Sequence, residues 1–174
     1  MRRIRRLFVS VGLVSAVASA MMSMATAAPP EPQPVPLPCA TNVFVQPLGR
    51  GLPAAAEGLA LVLVRITIEP GGGIGPHTHP GTLVNSIESG TFAFTLIDHG
   101  DMSVMRSGEA GTPVAAEEIV PGQEVVLQPG DWFVETGMVH SARAIGDEPV
   151  VLTLSGLIAD GQPLTTCVDG TPTP

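Results

Sequence analysis

The chain has 174 residues, with 16 acidic residues against eight basic ones and no lysine. Four of the basic residues, Arg2, Arg3, Arg5 and Arg6, sit at the extreme N-terminus, so the rest of the chain carries four basic and 16 acidic residues, a net charge of −12 with histidine neutral. A surface this acidic repels phosphate backbones and anionic lipid, which argues against nucleic acid or peripheral membrane attachment and in favour of small molecules or cations as partners.

The N-terminal arginines precede an apolar run from Leu7 to about Ala20 and then a series of small residues. That pattern predicts a secretory signal peptide over residues 1–27. The Ala25-Thr26-Ala27 step places cleavage before Ala28, with a cut after Ala20 as the alternative. A retained anchor is the weaker reading, because the run is shorter than the roughly 20 apolar residues of a spanning helix and is diluted by Ser10, Ser15 and Ser19. The mature protein is therefore expected outside the cytoplasm, without stable membrane insertion.

Residues 28–38 carry a proline at nearly every second place. Proline has no N–H to donate to a ladder, so this stretch is expected to be an extended polyproline linker. The folded unit is expected over residues 39–167, with a loose tail at 168–174.

Cys39 and Cys167, the only cysteines, mark the two edges of that unit. In a chain bound for an oxidising compartment they predict a disulfide pinning the termini together, with two unpaired thiols as the competing reading. Closing so long a loop stabilises a fold by about 4–5 kcal/mol in the chain-entropy account.

Between the cysteines lie LALVLVRITI (59–68), TFAFTLI (91–97), QEVVLQ (123–128), DWFVET (131–136) and EPVVLTLSGLI (148–158). Each is rich in β-branched and aliphatic residues and bounded by Gly, Pro, Asp or Asn. No stretch after residue 28 sustains a capped helical period, so the domain reads as all-β. Short strands joined by tight turns favour a sandwich or barrel, in which closure covers the edges. The stretch 98–118 is less regular and is expected to form a hairpin with an excursion near one mouth.

Of the four histidines, His77 and His79 form a His-x-His pair. Side chains two apart on a strand project from one face and can converge on one ion. Alone, the pair fits a surface coincidence as well as a ligand set. The preceding GGGIGP reads as a bend; it lacks the lysine and following helix of a phosphate loop.

The wider context narrows the choice. PGGGIGPHTHPGTLVNSIESGTF (70–92) and QPGDWFVETGMVHSARA (128–144) resemble the two motifs of the cupin superfamily. In the first, Gly71 stands six residues before His77 and Gly90 closes the motif; in the second, Pro129-Gly130-Asp131, Gly137 and His140 follow in the family's order, with one residue fewer than usual before Gly137. The resemblance covers roughly residues 59–158. It implies a double-stranded β-helix barrel in which His77, His79 and His140 meet inside as metal ligands, and pairing of two copies through sheet edges as a homodimer. Met138, His140 and Ala142 share a face, which leaves Arg143 pointing outward.

Two positions depart from the family pattern. The glutamate ligand expected four residues after the second histidine is Leu83, and the asparagine expected four after the last is Ala144. A three-imidazole site favours Zn, Fe, Ni or Cu over Mg and Mn, which prefer oxygen donors. It also leaves coordination positions open. Among other polar residues, Asn85 shares a face with the site whereas Glu88 has the opposite parity. Glu135 lies across a turn from His140, where parity does not place it; it is either a ligand or supporting acid, or a rim charge. His99 reads as a solvated turn residue, and Phe92, Phe94, Trp132 and Phe133 as core or barrel wall.

Ser86, Ser103 and Ser141 stand in no strand-turn-helix elbow, so nucleophilic catalysis has no support. Three functions remain: a metal-dependent enzyme of oxygenase or isomerase type acting on a small organic substrate, a non-catalytic barrel that binds a small ligand or metal, and a structural domain whose histidines are hydrogen-bonded relics.

Overall fold

The computed structural model describes residues 32–98, 100, 102–108 and 113–168. The expected signal peptide, His99 and all of the tail but Val168 lie outside the described residues. Within them the chain forms twelve strands: β1 (Val35–Pro36), β2 (Ala40–Gly51), β3 (Leu59–Thr78), β4 (Gly81–Ser89), β5 (Thr91–Asp98), β6 (Met102–Ser107), β7 (Pro113–Ile119), β8 (Glu124–Leu127), β9 (Trp132–Thr136), β10 (Val139–Ile145), β11 (Val150–Ala159) and β12 (Thr166–Cys167). Among the described residues there is no helix, and so none long and apolar enough to cross a membrane. The strands pair antiparallel in the order β7-β6-β9-β4-β11-β3-β10-β5-β8, with β2 and β12 along the other edge of β3, and close into a nearly complete barrel.

Period-two patterning explains why these segments become strands. On β4, Leu83, Asn85 and Ile87 are buried while Thr82, Val84 and Ser86 are exposed. On β3, Ala60, Val62, Val64, Ile66 and Ile68 face the core, and Val150, Leu152 and Leu154 of β11 meet them across the barrel wall. Each fully buried aliphatic side chain of this set stabilises the fold by about 1.5–3 kcal/mol relative to exposure.

β3 changes neighbours along its length. Residues 59–68 pair with β11, and the residues beyond Pro70–Gly72 pair with β10, placing Gly73, Ile74 and His77 beside Arg143, Ala142 and His140. The glycine-rich bend of the sequence is thus where one strand passes between two neighbours. The expected hairpin within 98–118 is the β6–β7 pair; Arg106 of β6 donates to Glu117 of β7 within it and anchors it to the Pro129-Gly130-Asp131 turn by donating to Asp131 Oδ2 at 2.8 Å.

The proline segment contributes more than a linker at its end. Val35–Pro36 pairs with Val45 and Phe44, the Leu37 N–H donates to the Val43 carbonyl, and the Leu37 side chain is buried. Pro36 itself donates nothing; Val35 and Leu37, the non-proline residues around it, make this edge pairing possible.

Cys39 and Cys167 form the disulfide, with Cα atoms 5.6 Å apart across a separation of 128 residues. Both flank the second half of β3: the Cys39 carbonyl accepts from the Gly75 N–H at 2.9 Å, and Cys167 pairs with His77. Replacing both cysteines by serine is expected to lower stability by about 3–5 kcal/mol, measured by denaturant unfolding under non-reducing conditions; an unchanged midpoint would contradict this role.

Gly156 on β11 faces Leu83 on β4. A Cβ on Gly156 would overlap the Thr82 carbonyl oxygen and lie 2.8 Å from Leu83 Cα. Gly156→Ala is expected to cost about 2–3 kcal/mol by overpacking, readable as a shifted denaturant midpoint with the unfolding slope unchanged.

Candidate metal centre

The register of β3 against β10 sets His140 directly opposite His77, and His79 follows immediately after β3. All three imidazoles are buried, with exposures of 2%, 8% and 3% for His77, His79 and His140. Ring centroids lie 4.9 Å apart for His77 and His79, 4.2 Å for His77 and His140, and 5.2 Å for His79 and His140. One nitrogen from each falls within 4.8 Å of the others. Ligands about 2.1 Å from a single ion stand roughly 3.0–4.2 Å apart, so closure requires shifts of about 1 Å or less.

Two of the rings have their tautomer set by the backbone. His77 Nδ1 lies 2.8 Å from the Gly75 carbonyl oxygen, and His79 Nδ1 lies 2.6 Å from that of Leu164. A carbonyl only accepts, so each Nδ1 carries the proton and donates it. In its neutral form each ring therefore leaves Nε2 bare, with its lone pair free for a metal. His140 is steadied by Phe94, stacked on it at 4.7 Å with 19° between the planes, while its Nδ1 makes no hydrogen bond.

Burial, reinforced by His140 and His79, lowers the His77 imidazole to about 3. Burial, followed by His79, likewise lowers His140 to about 3; the Met138 carbonyl acts against that shift without reaching hydrogen-bond geometry with Nδ1. Both rings are thus neutral at physiological pH, the form that ligates metals.

The other residues singled out in the sequence divide cleanly. Glu135 is 2% exposed and enters the site: its Oε1 lies 3.4 Å from His79 Nε2 and its Oε2 lies 3.2 Å from His140 Nε2. Asn85 lines the same cavity, 3% exposed, with Nδ2 unpartnered. Leu83 is fully buried and pairs with Glu135 across β4 and β9. Glu88 points outward, bonded to Thr153 and 3.5 Å from Arg65. Arg143 also points outward, donating to Glu124 at 2.8 Å. Phe92, Phe94 and Phe133 are buried around the cavity, Trp132 is half-buried, and Ala144 packs in the core.

Two contributors carried no sequence signal beyond their closeness to Cys167. The Leu164 carbonyl orients His79, and Thr165, 5% exposed, presents an unpartnered Oγ1 to the cavity wall. The cavity has a volume of about 30 Å³, room for about two waters. Aliphatic and phenyl side chains form most of its lining, and no arginine is among them.

No protein-family profile matches the chain, and no curated protein sequence does. Solved structures do match. The L-ribose isomerase of Geodermatophilus obscurus aligns with a TM-score of 0.52 and 17% identity, over 73% of this chain and 69% of that one. The L-ribose isomerase of Cellulomonas parahominis gives 0.51 and 17%, with the same coverage of 73% and 69%. A cupin-like protein of Thermotoga maritima aligns at 0.44 and 17%, over 82% and 89%. The fold is that of the cupins. At these identities the likeness speaks for the architecture and leaves the chemistry to the site. In this cupin barrel the two sequence motifs meet on paired strands, which brings His77, His79 and His140 together.

Stability of the metal-free barrel should depend on pH through His77 and His140. Between about 3 and 6.5 the unfolded chain holds protons on both rings that the native state excludes. Unfolding then takes up protons, so stability falls as pH drops below 6.5, and these rings contribute nothing above it. Denaturant unfolding at pH 7.5 and pH 5 in the presence of chelator checks this, and His140→Gln should remove about half of their slope.

Proposed function

We propose that this protein is an exported, single-domain metallocupin in which His77, His79 and His140 hold one divalent transition ion, with Zn, Fe, Ni and Cu as the imidazole-accepting candidates. The observation that carries the reading is the convergence of three buried rings with ligand nitrogens within 4.8 Å, two of them held by backbone carbonyls with Nε2 bare. Nδ1 of two rings is taken by a backbone carbonyl, and Nε2 of His79 and of His140 faces the Glu135 carboxylate, an arrangement that a shared cation would satisfy. Export is supported by the disulfide, which belongs to an oxidising compartment, together with the leader-like N-terminus.

A bound ion of this kind polarises a ligand oxygen or acidifies a water. Around it, the chain's own residues select the ligand. Phe92, Phe94 and Phe133 favour an apolar body, Asn85 and Thr165 offer polar contacts, and the lack of a cationic side chain disfavours phosphate or a polyanion. With room for about two waters as it stands, the cavity has to widen to admit a small, neutral organic substrate at the open coordination positions; chemistry of oxygenase or isomerase type is the reading that the family resemblance suggests, with a non-catalytic binding barrel as the alternative.

Protein purified without an affinity tag should contain about one equivalent of metal, and addition of Zn, Fe, Ni or Cu to the stripped protein should raise its melting temperature. His140→Ala should abolish both effects. Absence of stoichiometric metal and of any thermal shift would sink the proposal. Turnover in a substrate screen under oxygen, read as oxygen consumption or product, separates an enzyme from a binding barrel.

A further inference from the structure

Leu83 occupies the position where the family pattern carries a glutamate, yet a carboxylate still reaches the site. Leu83 of β4 pairs directly with Glu135 of β9, and both side chains are buried inside the barrel. Directly opposed residues of an antiparallel pair have Cβ atoms about 5 Å apart, so a carboxylate on either strand reaches the same region. Resting on the metal reading above, we infer that Glu135 is the fourth, anionic ligand of this centre, supplied by the strand facing the expected one.

The geometry favours ligation over hydrogen bonding. Glu135 is 2% exposed, and among the described residues its carboxylate meets only two imidazoles, at 3.4 Å from His79 Nε2 and 3.2 Å from His140 Nε2. Charge-assisted hydrogen bonds run about 2.7–2.9 Å. Adjacent ligands about 2.1 Å from one ion are separated by roughly 3.0 Å in octahedral and 3.4 Å in tetrahedral geometry; the two contacts, made by different oxygens of Glu135, fall in that range, and because the 4.8 Å cluster comprises the three histidines alone, ligation needs a small inward shift of the carboxylate. The two carboxylate oxygens and the two imidazoles face one another in a buried pocket, and a cation held among them gives the buried carboxylate the charge partner that burial demands.

The assignment changes the metal preference. Three imidazoles alone suit Zn, Fe, Ni and Cu, whereas an added carboxylate makes the site acceptable to Mn(II) as well. It also lowers the charge that a substrate meets at the ion by one.

The test compares Mn(II) and Zn(II) affinities, by calorimetry and by the Mn(II) paramagnetic resonance spectrum, for the full chain, Glu135→Gln, His140→Ala and the exchange Leu83→Glu/Glu135→Leu. The unaltered protein should bind one Mn(II). Glu135→Gln, nearly isosteric and checked for folding by circular dichroism, should lose about 100-fold or more in Mn(II) affinity and about 10-fold or less in Zn(II) affinity. The exchange variant, by returning the carboxylate to β4, should recover Mn(II) binding to within about tenfold. Equal losses for the two metals, or no loss, would place Glu135 outside the coordination sphere and overturn the inference while leaving the three-histidine site standing. Zn(II) binding without Mn(II) binding in the unaltered protein would also overturn it. Failure to bind either metal, with His140→Ala indistinguishable, would remove the metal reading itself.

Discussion

The antiparallel pairing of β3 with β10 sets His77 against His140, and the site exists because of it. The two histidines lie far apart in sequence, and neither motif alone assembles a ligand set. Their meeting requires β3 to leave β11 after Ile68 and continue beside β10, through the Pro70–Gly72 bend. Polar rings placed in a barrel interior cost stability unless they find partners. The aliphatic ladder of β3, β4 and β11 supplies the opposing stabilisation, so the fold tolerates a polar cluster it would not form by itself.

The support around the three rings is mostly backbone and ends of strands. The Gly75 carbonyl, just before His77, fixes one tautomer within its own strand. The Leu164 carbonyl fixes the other from a segment that returns only near the end of the domain. That segment leads into β12, which pairs with the end of β3 and is tied through Cys167 to Cys39. The disulfide therefore does more than close the termini: it holds the piece of chain that orients His79. Outer-sphere partners of this kind shape metal affinity and ring basicity.

Much of the architecture could be read directly from the chain. The β-branched and aliphatic content of LALVLVRITI marked it as a strand, while parity along TLVNSIES put Asn85 and Glu88 on opposite faces, and the structure buries Leu83, Asn85 and Ile87 while leaving Glu88 at the surface. The same parity placed His140 inward and Arg143 outward. The proline segment was harder to read, because its prolines mask Val35 and Leu37, which pair and pack at the edge of β2.

What the sequence determined by itself is the all-β class, several of the strands, and the inward face of those that carry the two motifs, because side chains alternate with a fixed period and apolar residues must leave water. It also identified three histidines in motifs of recognisable spacing. Only the tertiary structure decided which groups from different elements share the interior. Parity stops at a turn: Glu135 and His140 are separated by Gly137, whose φ of 61° reverses the chain in a way no alternation rule carries through. Strand pairing then put Glu135 opposite Leu83, and a remote carbonyl found His79, because both depend on registers set by packing across the whole barrel.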